Sequence, residues 1–138
     1  DEEKNLKKLV NELNLKNIVI FMNKINADLK SALIKKSHLF VMPSIIYKKS
    51  VEGFGIAFIE AGQHGIASIG GKDGGASDAI IHNKTGLICN GNDLDSIYQS
   101  IIKIFEEDKY LIFGKNAKEF SKQFEWSKII KKYIELLN

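Results

Sequence analysis

Arginine is absent from this 138-residue sequence, and all 20 basic side chains are lysines. That removes the planar guanidinium forks that read base edges and phosphates with two parallel hydrogen bonds. The lysines are scattered among 17 acidic residues, leaving a net charge of only +3. No basic stripe stands out, so nucleic acid is not an expected partner. The single cysteine, Cys89, has no partner for an internal disulfide. It lies in "TGLIC", which reads as a strand end, so a buried, inert thiol is expected, and a reducing cytoplasm is the simplest compartment. No apolar run approaches the ~20 residues of a membrane-spanning helix. The start, "DEEKNLKKLV", is charged and lacks a signal-peptide core. The sequon "NKT" at Asn83 is therefore read as chance. Repeats, low-complexity segments and linkers are also missing.

What remains is ordinary globular material. Hydrophobic residues make up 44% and charged residues 27%, and a chain of this length buries roughly two-thirds of its unfolded surface. Leu6, Leu9, Val10 and Leu13 recur at three- and four-residue spacing, which predicts an amphipathic helix over Glu3–Leu13. "NIVIFM" reads as a buried strand, "ADLKSALIKKS" as a helix, and "HLFVMPS" as a strand stopped by Pro43 and Ser44. "IIYKKSVEG" is a loop, and "VEGFGIAFIEAGQHG" carries the third helix. "IASIG" is a strand and "GKDGGASD" a glycine-rich loop. "AII" and "TGLIC" read as short strands around the turn "HNKTG". Asp93 is the N-cap of a helix running to Glu107. Helices over about Lys109–Lys122 and Trp126–Leu137 close the chain.

Alternating helices and short continuous apolar strands predict an α/β fold: a Rossmann-like three-layer domain with a mostly parallel sheet covered on both faces. Such domains usually begin with a strand. This one begins with a helix, so the expected reading is a single domain over residues 1–138 cut from something longer, its leading strand upstream.

In open parallel sheets, ligands bind beyond the carboxyl ends of the strands. The loop after "HLFVMPS" begins there and leads into Gly53 and Gly55, which open the third helix. Glycine admits close approach of the backbone, and the free N–H groups with the helix dipole suit a phosphate. An anion site is therefore predicted over Gly53, Phe54, Gly55 and Ile56. Two familiar phosphate motifs fail. In "GFGIAF" the third glycine of a dinucleotide fingerprint is Phe58, and no Gly-Lys-Ser/Thr ending of a Walker loop exists.

Glu60 adds to this. A carboxylate in an apolar helix is costly unless it is hydrogen-bonded or opens onto a cleft. It lies about 8 Å along the axis from the helix start. A ribose would sit at that distance from a diphosphate resting on the helix N-terminus. Glu52, before the glycines, would face the group beyond the phosphates. Pairing with a lysine or reaching solvent would also explain a lone Glu60. Its combination with Glu52, the glycines and the strand-end position favours the site.

The other candidates carry less. His38, His64 and His82 lack metal-ligand spacing and read as structural or exposed. Ser68 and Ser77 have no convincing His and Asp partners. Gly70, Gly71, Gly74 and Gly75 line the cleft mouth or form a flexible loop. Lys48 and Lys49 read as a solvated pair, and Phe124 and Trp126 as packing anchors for the last helix.

Glu52, seven residues and then Glu60, within "EGFGIAFIEA", resembles the E-x7-E signature of retaining glycosyltransferases of the GT-B fold, the glycosyltransferase group 1 family. "FVMPS", "IGGKDGGASDAIIHNKTGLIC" and "FEWSKIIKKYIELL" resemble that family's strand, glycine loop with its following strand, and closing helices. The version "VEGFGIAFIEA" is most similar to the phosphatidylinositol mannosyltransferase-like branch. The resemblance implies that this is the C-terminal, nucleotide-sugar-binding half of a two-domain enzyme. Glu60 would hold the ribose hydroxyls. Glu52 and the backbone of Gly53–Gly55 would face the sugar and pyrophosphate. Ile25 matches a position that contacts the base.

The implied reaction is sugar transfer with retention from a UDP- or GDP-sugar, without a metal or other cofactor. The acceptor, a glycan or lipid, would be held by the missing N-terminal domain. The implied location is cytoplasmic, with a peripheral place at the inner membrane face for the full-length protein. The family's basic pair that clamps the pyrophosphate should lie upstream of Asp1. Ala67 in "HGIAS" also replaces a usual proline. Alone, the chain is expected to bind donor weakly and transfer nothing. The rival readings are a nucleotide-sugar epimerase-like domain and a non-catalytic nucleotide-binding module.

Overall fold

The computed structural model describes residues 2–137, apart from the side chain of Glu107. The chain falls into two compact units, Asp1–Lys30 and Ser31–Asn138.

The first unit holds α1 (Glu2–Glu12). Ion pairs at i,i+4 run along it, Glu3 with Lys7 at 2.6 Å and Lys8 with Glu12 at 3.6 Å. The helix ends in a turn in which the Leu15 N–H donates to the Val10 carbonyl at 2.9 Å. The expected strand at "NIVIFM" does not form: residues 17–22 belong to no ladder. Ile18 and Ile20 are 74% and 80% exposed. An apolar run becomes a strand only when a neighbour takes up its backbone groups and side chains, and no described strand does so here. Ile25 follows in irregular chain and is half-buried.

α2 (Ala27–Lys36) leads to β1 (Phe40–Met42). Then come α3 (Ile56–Gln63), β2 (Ser68–Gly71), α4 (Ala76–Ala79) and β3 (Gly86–Cys89). α5 (Leu94–Phe105), α6 (Lys109–Ser121) and α7 (Trp126–Leu137) complete the second unit, joined by short 3-10 turns. The sheet is parallel in the order β1-β2-β3, with Phe40 opposite Ser68 and Ser68 opposite Gly86.

Period-2 alternation divides the core between the two faces of the sheet. Ala67, Ile69, Leu87 and Cys89 meet Ile104 of α5 and Phe113 of α6. Phe40, Met42 and Ile88 meet Phe58 and Ile59 of α3, together with Ala76, Ala79 and Ile80. Helices therefore cover both faces, the three-layer arrangement expected. Fully burying a side chain such as Ile69 or Ile104 contributes roughly 1.5–3 kcal/mol. Asp93 caps α5 as expected, its Oδ1 accepting from the Asp95 N–H at 3.0 Å.

Two expectations near β3 need correction. The end of "GKDGGASD" is not loop but enters the helical turn α4, whose small Ala76 and Ala79 fit beneath Phe58 and Ile59. "AII" is not a strand. The Ile81 N–H donates to Thr85 Oγ1 at 2.8 Å, and the Ile81 carbonyl accepts from the Thr85 N–H at 2.9 Å. This local turn takes up the groups a ladder would need.

Cys89 is buried as anticipated, and burial pushes its thiol above the ordinary range. A raised value favours the neutral thiol, so the group stays unreactive near neutral pH. Among the described residues, no helix is long and apolar enough to cross a membrane.

Candidate functional site

Because the strands are parallel, Met42, Gly71 and Cys89 end at one edge of the sheet. Residues 43–55 start there and run to the first turn of α3. Gly55 is the N-cap, in the left-handed region at φ 86° and ψ 50°. A Cβ there would lie 2.5 Å from Phe58 Cδ2. Glycine is needed at this position for both reasons. Among the described residues, no side chain caps α3. Its first N–H groups, with the positive end of the helix dipole, point out of the helix start.

Gly53 is exposed, and a Cβ placed on it would meet nothing within 4 Å. Glu52 is half-buried, and its carbonyl accepts from the Gly75 N–H at 2.9 Å. Phe54 is half-buried, its ring centroid 5.3 Å from that of Phe124. This contact ties the loop to the turn before α7.

Glu60 is half-buried on α3, one turn beyond Ile56. Both line a groove of about 560 Å³, with Ile59 and Gln63 on the same helix. Across it stand Phe124, Glu125, Trp126 and Ile129. The charge in the middle of the apolar helix thus opens onto a cleft.

The structure brings six of the seven candidate residues, Glu52 to Ile56 and Glu60, onto one loop and the helix it feeds. Ile25 belongs to the other unit. The groove's far wall was missed in the sequence. Phe124 does pack as expected, against Phe54 and Phe120. Trp126 is no anchor, being 77% exposed at the groove's rim. Only the amphipathic run "FEWSKII" hinted at an apolar wall.

The histidines are structural or exposed, as read. His38 lies edge-on to Tyr110 at 6.1 Å. His64 Nε2 is 3.0 Å from Ser31 Oγ, and His82 Nδ1 accepts from the Ile88 N–H at 2.9 Å.

The family model for glycosyl transferases group 1 matches residues 1–120. The chain belongs to this family. A relative, the GDP-mannose-dependent α-(1-6)-phosphatidylinositol monomannoside mannosyltransferase of Mycobacterium tuberculosis, is 29% identical over 136 residues. That match takes in 96% of this chain and 35% of the relative. Sucrose-phosphate synthase from Thermosynechococcus elongatus superposes with a TM-score of 0.83 at 27% identity, over 99% of this chain and 33% of that one. HepE of Anabaena, solved in complex with UDP, superposes with a TM-score of 0.84 at 25% identity, over 97% of this chain and 36% of that one. The group 1 fold expected from the sequence is therefore present. The chain spans about a third of the length of these relatives.

Proposed function

We propose that this chain is the donor-binding, C-terminal domain of a retaining glycosyltransferase that takes its sugar from a UDP- or GDP-sugar. One observation carries the reading. On a single eight-residue helix, an uncapped N-terminus behind Gly53–Gly55 is combined with a half-buried carboxylate, Glu60, that opens onto a groove. Diphosphate oxygens would rest on the N–H groups at the start of α3. Glu60 would accept from the two vicinal ribose hydroxyls one turn further on. Glu52 would face the sugar.

In the transfer, the bond between the anomeric carbon and the phosphate oxygen breaks, and its electron pair leaves with the diphosphate. The acceptor hydroxyl oxygen bonds to that carbon on the same face and gives its proton to a departing phosphate oxygen. Preorganised N–H groups favour the growing phosphate charge. The Glu52 carboxylate favours the positive charge developing on the sugar. On this proposal no metal or other cofactor is required. The acceptor, a glycan or a lipid, is held by a further domain of a longer, cytoplasmic protein placed peripherally at the inner membrane face. The mycobacterial relative, whose name specifies GDP-mannose and a phosphatidylinositol mannoside, favours transfer over an epimerase or a non-catalytic module.

Calorimetric titration with UDP, GDP, ADP and their sugars tests the reading. One base series binds, its sugar form more tightly than its free diphosphate, with the same affinity after EDTA. Failure of every series to bind, or binding only when Mg²⁺ is restored, contradicts it.

A further inference from the structure

The face of the Glu52–Gly53 peptide turned away from solvent rests on a second loop, residues 72–75 after β2. The Gly75 N–H donates to the Glu52 carbonyl at 2.9 Å. A Cβ on Gly75 would strike the Gly53 carbonyl oxygen and lie 2.7 Å from Phe54 Cα. Gly74 has φ +91°, and a Cβ there would lie 2.6 Å from the Glu52 carbonyl oxygen. Gly75 is buried, whereas Gly53 is exposed with open space beside it. One side of this peptide is therefore seated and the other is free.

The seat is itself fixed. Gly75 is the N-cap of α4, whose Ala76 and Ala79 are buried in the cluster with Phe58 and Ile59 of α3. Both the helix that begins at Ile56 and the loop leading into it are thus referred to one patch of core.

We infer that Gly74 and Gly75 are positioning residues, whose backbone sets the height and direction of Glu52 toward the donor sugar. This rests on the donor-site reading above. Neither glycine touches the donor in this role. They act through the Glu52–Gly53–Phe54 backbone, and any side chain at residue 75 pushes the Gly53 carbonyl out of place.

The test compares Gly75→Ala with Gly114→Ala. Gly114 packs as closely, with a Cβ that would strike the Gly65 carbonyl oxygen, but it does so beyond the other end of α3. UDP, UDP-glucose, GDP and GDP-mannose are the probes. Gly75→Ala loses about tenfold in the ratio of sugar-nucleotide to free-diphosphate affinity, whereas Gly114→Ala keeps the wild-type ratio whatever its stability. A wild-type ratio in folded Gly75→Ala, or an equal loss in Gly114→Ala, overturns the inference and leaves the donor reading standing. Wild-type protein that binds none of the probes overturns both. Hydrogen exchange in the unaltered protein decides the matter should Gly75→Ala not fold. The Gly75 amide slows more with the sugar nucleotide than with the diphosphate, and equal exchange in the two overturns the inference.

Discussion

Glu60→Ala weakens nucleotide-sugar binding by about 10- to 100-fold while the melting temperature stays within a few degrees of wild type. The size follows from the bonds removed. Hydrogen bonds to a charged acceptor contribute about 1.5–3 kcal/mol, and 1.4 kcal/mol is a factor of about ten. The small stability change follows from position. Glu60 is half-buried and lines a groove rather than filling core, and alanine is the better helix former. Were the carboxylate only a structural partner of a nearby side chain, the variant would lose stability and keep its affinity. Calorimetry on the folded variant separates the two, and unchanged affinity for every sugar nucleotide sinks the assignment of Glu60.

Glu52→Gln produces the opposite division of effects. In the longer protein proposed here, turnover falls about 100-fold, in line with the 2.7–4 kcal/mol lost when one preorganised electrostatic partner is removed. Donor affinity changes little. Glutamine keeps the shape and an acceptor oxygen but not the charge, so ground-state contacts survive and favourable interaction with a positive sugar is lost. The backbone bond from Gly75 does not involve the side chain, so the loop keeps its course and the variant its stability. Turnover at the wild-type level would show that the charge at residue 52 plays no part in the chemistry.

Much of this was legible in the sequence because the relevant signals are local. The apolar runs at Phe40–Met42, Ser68–Gly71 and Gly86–Cys89 pair as parallel strands. Asp93 caps its helix, and Gly55 sits where only a left-handed residue lets the chain turn into α3. The misses are of another kind. "NIVIFM" has the composition of a strand, but a ladder is a property of two segments and composition reports on one. "AII" lost to a turn closed by the Thr85 hydroxyl, a competition set by side-chain geometry. At the site, Glu60 stood out because a charge among apolar neighbours is anomalous along the chain. Its facing wall at Phe124, Trp126 and Ile129 is more than sixty residues away, and only folding brings it close. The close packing of Gly75 against Gly53 is likewise invisible in a sequence that shows only two glycine-rich loops.

The central claim is that the start of α3 and Glu60 form one nucleotide-sugar site, and amide chemical-shift mapping tests it most directly. The chain is titrated in turn with UDP-, GDP- and ADP-sugars. For one donor, the shifts cluster at Gly53–Ile56 and Glu60, with Gly75 following through its bond to Glu52. Shifts that fall elsewhere, or that appear equally with every donor, contradict the claim.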